Sequence, residues 1–490
     1  MTESPRRKIF DALSWSFLDS VVMRVVQLTT GIILARILFP EQFGLIGMLM
    51  IFIALARAMT ESGFGAALIQ KGRITNVEIC SVFYFNIIVG LLIAGACCLA
   101  APWIADFYNK PILTPLMRAL SLIMVINAFC MIQDNLFSME MNFRATAITS
   151  LIAGGLSGGV GIGLALAGWG VWSLVIQQIS LSLFRAICLW LLSSWRPAPI
   201  FNVSALRGLI PFGSRLLLSG LLTEVFENVY FVVIGRLFPA ADLGLFSRAR
   251  TLQGMPQETL SLIVGRVAFP LFSAHQDDPA TLKRGLQKTV MLVAMISFPL
   301  MVGLAATARP VVIVLLGQKW AGSIRYLQLF CAAGLTYPLY MMNLQLLKST
   351  GRSDLYLRLE VVWRVLTIVN ILITWRWGIS AMILGIIVIS AVPYFLSCYL
   401  IDDLIDYPMG EQLNNLLPYL GIAALMGVVV FCIGLLHLGS FLLALPAQIL
   451  LGAAVYVFLC RVFRLAALME ACKEMRDRLT IFRTSRQVIR

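Results

Sequence analysis

Ionisable side chains stand inside stretches of this chain that are otherwise almost wholly apolar. Asp19 and Arg24 share the first such stretch, and Arg57 and Glu61 lie four apart in the second. A later stretch carries Arg215, Ser219, Thr223, Glu227 and Tyr230 in one helical stripe, with Glu224 beside it. The next carries Ser247, Arg250, Gly254, Gln257, Glu258 and Ser261 along one face, with Arg248 nearby. A charge at the centre of a bilayer costs about 2.5–3.5 kcal/mol on insertion scales, so several of these groups must share water or partners. Two chemistries suit them. The planar fork of arginine grips phosphate oxygens in pairs. A carboxylate in a partly desolvated cleft gains affinity for a proton or a sodium ion.

With Arg266 further along the last of these stretches, towards the cytoplasm, arginine outnumbers acid by six to five, which favours an anionic substrate. Arg24, Arg57, Arg215, Arg248 and Arg250 are the candidate substrate-binding residues. Asp19, Glu61, Glu224 and Glu227 are candidates for gating or ion coupling. The alternative is a set of internal salt bridges, which fits the four-residue spacing of Arg57–Glu61 and of Glu360–Arg364. Catalytic chemistry has little to draw on. The ten cysteines are scattered, with no CxxC pair, and the two histidines, His275 and His437, are far apart. No disulfide, metal site or bound cofactor is expected, and no nucleophile elbow, phosphate loop or dinucleotide fingerprint is present. Nothing points to an enzyme.

The elements that would position these residues are membrane helices. Sixty per cent of the chain is apolar and 13% charged, and the apolar residues gather into runs. Ala145–Phe184 has no charge, with Gly168-Trp-Gly170 as a turn in its middle. A bilayer needs about 20 residues of helix, and fourteen spans fit. They lie near 12–38, 43–68, 79–104, 112–137, 145–167, 171–194, 208–237, 243–270, 283–306, 322–346, 355–375, 379–401, 413–436 and 440–461. The loops leave no room for a soluble domain. The first stretch, after Arg6-Arg7-Lys8, is too long and too charged for a signal peptide.

With the N-terminus cytoplasmic, the inner flanks hold more of the lysine and arginine, among them Lys71, Arg144, Arg196, Arg284 and Lys348. The outer flanks hold fewer, chiefly Arg36, Lys110, Arg236, Lys319 and Arg376. The positive-inside rule then places both termini in the cytoplasm. The net charge of +14 belongs to this asymmetry and requires no nucleic-acid partner. After Arg464, Leu465, Leu468, Met469, Cys472, Met475 and Leu479 recur at helical spacing among basic residues, as in a helix resting on anionic lipid.

The chain is also duplicated. Residues 102–174 lie over 310–382 at a nearly constant offset of 208, matching Pro102 to Pro310, Asn135-Leu136 to Asn343-Leu344, Arg144 to Arg352 and Gly170 to Gly378. At an offset of about 200, Arg36-Ile-Leu-Phe-Pro-Glu-Gln-Phe-Gly-Leu45 echoes Arg236-Leu-Phe-Pro-Ala-Ala-Asp-Leu-Gly-Leu245. Each repeat has six spans, an even number, so the halves enter the membrane from the same side, as in parallel-repeat transporters. The expected organisation is a six-helix lobe over 1–200, a second over 201–405, two further helices over 406–464 and a basic amphipathic tail over 465–490. The polar helices are then spans one, two, seven and eight, the same pair from each repeat, and together they would enclose a wet cleft. Span five has Gly154, Gly155, Gly158, Gly159 and Gly163, spacing that lets helices approach closely. Prolines at 256, 299, 338, 393, 418 and 446 permit kinks within spans.

In Leu34-Ala-Arg-Ile-Leu-Phe-Pro-Glu-Gln-Phe-Gly-Leu45, Ser62-Gly-Phe-Gly-Ala-Ala-Leu-Ile-Gln-Lys71, Arg266-Val-Ala-Phe-Pro-Leu-Phe272 and Gly317-Gln-Lys-Trp320, taken in order, the chain resembles a known family. It is the polysaccharide transporters of the multidrug/oligosaccharidyl-lipid/polysaccharide flippase superfamily, in particular the colanic acid exporter group. The resemblance covers nearly the whole chain. It implies two six-helix lobes forming a V around a central cavity, lined by spans one, two, seven and eight. It implies movement of an undecaprenyl-pyrophosphate-linked oligosaccharide from the inner to the outer leaflet of a bacterial inner membrane. Arginines on spans one, two and eight serve the pyrophosphate in the related lipid II flippases, and Arg24, Arg57 and Arg248 or Arg250 occupy matching regions. Polysaccharide polymerase or assembly machinery is an implied partner, with membrane lipids. Two alternatives are a multidrug cation antiporter, which would want an acidic, aromatic-lined lobe, and a polysaccharide polymerase or ligase, which would want a large outer loop.

Overall fold

Backbone polar groups in hydrocarbon must find partners within their own segment, so apolar runs of this length fold as helices. The computed structural model describes residues 22–61, 74–140, 142–276, 278–435 and 441–463, with isolated positions 65, 68, 71, 465 and 469. Among the described residues every regular element is helical. Helix α1 covers 22–37. It is followed by α2 (Pro40–Glu61), α3 (Asn76–Tyr108), α4 (Leu113–Met139), α5 (Phe143–Leu166) and α6 (Val171–Leu192). A single turn at Val203–Arg207 leads to α7 (Ile210–Leu237), α8 (Ala240–Ser273), α9 (Pro279–Ala306) and α10 (Ala308–Leu315). Then come α11 (Ser323–Ala333), α12 (Tyr337–Ser349), α13 (Ser353–Thr374), α14 (Ile379–Ile405), α15 (Met409–Leu435) and α16 (Phe441–Val462).

Ten of the described helices are long and apolar enough to cross a membrane, so the protein is an all-α, multi-pass membrane protein. The expected spans outside that ten have visible reasons. Helix α1 is described only from residue 22, and α8 and α13 carry several charges each. Span ten is not continuous: a turn at 334–336 separates α11 from α12. Pro338, expected as a kink inside a helix, instead sits in the first turn of α12, where its missing N–H costs nothing. Pro299, Pro393, Pro418 and Pro446 do lie inside helices.

The duplication is visible in backbone geometry. Asn109 and Gly317, 208 residues apart, both close a helix with positive φ, 54° and 99°. Gly170 and Gly378 both cap the start of a helix with positive φ, 54° and 89°. The same left-handed punctuation at matching places is what a repeated helix–turn–helix frame requires.

The chain divides into two compact units, Met1–Ser247 and Arg248–Arg490. In the first, α1 packs on α5 through glycine. A Cβ on Gly154 would meet Met23 and Val26, one on Gly158 would meet Thr30, and one on Gly161 would approach Leu34. Gly155, Gly159 and Gly163 face open space, so among the described residues only one of the two glycine faces is a packing surface. Phe83 gathers Tyr84, Phe129, Trp190 and Trp195 in edge-on contacts. The linker after α6 is tied to this cluster. Arg196 donates to the Trp190, Ser193 and Trp195 carbonyls, and the Asn202 N–H donates to Ser81 Oγ at 2.9 Å.

In the second unit, a polar network threads a large apolar core. Asn343 donates to Ser397 at 2.9 Å, Cys398 to Gln412 at 3.1 Å, Gln412 to the Tyr407 carbonyl at 3.2 Å and Asn415 to the Tyr407 hydroxyl at 3.0 Å. Lys283 on α9 meets Glu411 at 2.8 Å and donates to the Asp406 carbonyl at 2.5 Å. These bonds fasten α15 to α9 and α14, and α14 to α12. Helix α16 is held by the Tyr456 hydroxyl, which donates to the Met295 carbonyl at 2.9 Å.

Candidate functional site

The first-unit candidates lie on α1, α2 and α7. Met23, Val26, Thr30 and Leu34 give α1 its glycine-packed face, and Arg24 projects about 100° round the helix from Met23, half-buried. Arg57 on α2 is exposed. On α7, Arg215, Ser219, Thr223 and Glu227 recur every fourth residue, and all four are exposed, so the polar stripe is a real open face along more than three turns. Tyr230, read from sequence as its continuation, is buried instead. Glu224, on the adjoining face, is half-buried and accepts from Asn228 Nδ2 at 3.3 Å. Asp19 and the Glu61 side chain lie outside the described residues, as do the side chains of Ser261 and Arg266, His437 and nearly all of the tail.

One contact ties α2 to the start of α8 within this unit. A Cβ on Gly44 would fall on the carbonyl of Ala240, and a Cβ on Gly244 would fall on the carbonyl of Pro40. Gly44 and Gly244 are equivalents in the repeat, as are Pro40 and Ala240, so the contact is reciprocal. Only glycine permits such backbone approach. Around it Gly47 touches Leu243 and Phe231, and Gly235 touches Met48 and Tyr108. The sequence alignment marked these residues as landmarks without revealing that they meet.

In the second unit, Arg248 and Arg250 are both half-buried on α8. Gln253 follows on the same helix at 6% exposure, hydrogen-bonds Gln257 and reaches Met301 Sδ at 3.6 Å. Gly334, in the break between α11 and α12, leaves room for this pair; a Cβ there would crowd Gln253 and lie 3.2 Å from Gln257 Oε1. Gln253 was not singled out from sequence, because a lone glutamine beside an arginine stripe carries no pattern. Thr336 in the same break donates to Ser390 at 2.9 Å. Glu360 and Arg364 form the expected ion pair within α13, at 3.5 Å. Further ion pairs outside the candidate set are Arg185–Asp134 at 2.9 Å and Lys71–Glu78, the latter acid also closing a capping box with Thr75.

The described residues hold no group of histidine, cysteine or acid able to bind a metal ion. They offer candidate arginines on α1, α2, α7 and α8, and the candidate carboxylates Glu224 and Glu227 on α7.

Comparison with known proteins bears on the whole chain. It is 24% identical over 435 residues to the teichuronic acid biosynthesis protein TuaB of Bacillus subtilis, covering 88% of this chain and 89% of that one. It is 26% identical over 405 residues to the lipopolysaccharide biosynthesis protein WzxC of Escherichia coli, covering 81% of each. Among solved structures it is similar to the lipid II flippase MurJ in an inward closed conformation, with a TM-score of 0.74 at 13% identity, covering 91% of this chain and 98% of that one. That likeness fixes the fold. The model of the family described as "Polysaccharide biosynthesis protein" matches residues 33–325, more than half of the sequence, and the chain belongs to that family.

Proposed function

We propose that this protein is a flippase that moves an undecaprenyl-pyrophosphate-linked oligosaccharide, an exopolysaccharide or O-antigen repeat unit, across a bacterial inner membrane. It carries the unit from the cytoplasmic to the periplasmic leaflet by alternating access. The observation that supports this most is a family of polysaccharide biosynthesis proteins joined, in one chain, to the fold of a lipid II flippase. The half-buried arginines of α1 and α8 and the open polar stripe of α7 suit a lipid diphosphate better than an organic cation. Arg24, Arg57, Arg215, Arg248 and Arg250 meet the pyrophosphate. Asp19, Glu61, Glu224 and Glu227 serve gating or coupling to a proton or sodium gradient. Both termini are cytoplasmic, and a polysaccharide polymerase receives the product. The protein performs no catalysis.

A clean deletion tests the proposal. Surface polysaccharide falls, and the undecaprenyl-linked repeat unit accumulates where only cytoplasm-side reagents reach it. Normal export in the deletion, with no second transporter compensating, would overturn it.

A further inference from the structure

Helix α8 ends at Ser273, and α9 begins at Pro279. Between the last turn of α8 and the first turns of α9 lies a cavity of about 440 Å³, the size of a small-ligand site. Its floor is apolar. Phe272 is 1% exposed and Leu282 3% exposed, while Leu271 stands 42% exposed at the margin. Gly285 forms one wall. The rim is basic: His275, Arg284 and Lys288 line it, and no carboxylate does among the described residues. Neighbouring Lys283 does not join them, since it is committed to Glu411 and Asp406 on the other side of α9.

Arg284 donates Nε to the Ala280 carbonyl and one Nη2 hydrogen to Thr281 Oγ1, both at 3.2 Å. Those bonds fix its direction and leave three of its five N–H groups for a ligand. His275 is oriented too, with Nδ1 3.0 Å from the Leu271 carbonyl. The nearby acid, Asp278, is taken up as the cap of α9. It accepts from the Thr281 hydroxyl at 2.6 Å and the Thr281 N–H at 3.1 Å, and these bonds, helped by the Arg284 charge, hold its carboxyl below the usual range.

We propose that this cavity binds the phosphate of an anionic glycerophospholipid, with the headgroup between Arg284, Lys288 and His275 and an acyl chain passing over Leu271. The pairing of basic rim and apolar floor, open at an exposed leucine, fits a lipid phosphate at the membrane surface. Basic pockets between helix ends on the cytoplasmic side recruit such headgroups. The site rests on the orientation given above, which puts the α8–α9 turn at the anionic inner leaflet. It is separate from the arginines assigned to the transported substrate.

The test uses the full-length protein in a non-ionic detergent, followed by native mass spectrometry and thermal unfolding. Dioleoyl phosphatidylglycerol, dioleoyl phosphatidylcholine, inorganic phosphate and pyrophosphate are titrated separately. Wild-type protein should retain phosphatidylglycerol in preference to phosphatidylcholine. Arg284→Gln with Lys288→Gln should lose one bound phosphatidylglycerol and weaken its stabilisation at least tenfold. Gly285→Leu keeps every charge but fills the cavity, since a Cβ there is in ordinary contact with Phe272 at 3.5 Å; it should lose the same lipid. If the double variant does not fold, Gly285→Leu decides alone. Equal retention by variants and wild type overturns the site, as does equal binding of the two lipids. Full protection by inorganic phosphate or pyrophosphate overturns the lipid assignment. Polysaccharide export by a deletion strain complemented with wild-type protein tests the transport function independently, so the two proposals fail separately.

Discussion

Arg24 and Arg250 are half-buried, the condition under which a guanidinium matters most for a bound anion. Wholly exposed, it would be screened by water; wholly buried, it would need a permanent acid. Losing a hydrogen bond to a charged group costs about 1.5–3 kcal/mol, which is about tenfold to a hundredfold in binding. Arg24→Ala and Arg250→Ala should therefore lower polysaccharide export by at least tenfold with unchanged protein in the membrane fraction. Arg→Lys should restore export only in part, because a point charge replaces a planar fork. Arg364→Ala is the contrast: its partner Glu360 lies one turn away at 3.5 Å, so it should alter stability more than export. If the Arg24 and Arg250 variants disappear from the membrane, those residues hold the fold and do not serve substrate.

At the scale of the element, the break between α11 and α12 has no counterpart in the first repeat, where α4 runs unbroken. Ile126 occupies the position that Gly334 holds in the second repeat. A side chain at Gly334 would strike Gln253 and lie 2.9 Å from Met301 Sδ. Gly334→Leu should cost about 1–3 kcal/mol by overpacking and lower the thermal midpoint in detergent; Ile126→Leu should leave it nearly unchanged. An unchanged midpoint for Gly334→Leu would show that the break is not packed as described.

The same elements mark what a sequence discloses. Long apolar runs exposed the helices, because hydrocarbon leaves the backbone no other choice. The repeat showed itself in the match of Gly170 to Gly378, because a positive-φ cap constrains residue type, whereas Asn109 and Gly317 differ in type and correspond only in backbone geometry. Gly334 was silent, since a glycine before Tyr337-Pro338 reads equally as a kink or an end. The glycines of α5 showed spacing but not which face is used; Gly154 and Gly158 pack while Gly155 and Gly159 do not, and the partner helix alone decides that. The open stripe of α7 was legible through its four-residue period, whereas the Gln253–Gln257 pair was not, because its meaning comes from Gly334, far along the chain.

For the molecule as a whole, the reciprocal contact of α2 and α8 within the first unit carries the argument furthest. Pro40 and Ala240 each begin a helix, and each lends its carbonyl to the glycine one turn inside the other helix. A contact made twice by repeat-equivalent residues can open or close as one step, which is what alternation between two sides of a membrane needs. On the proposed orientation, with both termini in the cytoplasm, it lies at the periplasmic end, and the gating hypothesis is that closing it shuts the path on that side. Gly44→Leu with Gly244→Leu should hold these helix starts apart. Overpacking of about 1–3 kcal/mol would shift the population away from the closed form by about fivefold to a hundredfold. Ser247→Cys, one turn inside Gly244, reports the change. A membrane-impermeant maleimide added from the periplasmic side should label that cysteine at least fivefold faster in the double-leucine background, and export should fall with it. Gly44→Ala, the milder change, should show both effects in smaller measure. Wild-type labelling and export in both backgrounds would mean that the contact does not close the outer path. Loss of Gly44→Ala from the membrane fraction would mean that it holds the fold together and does not gate.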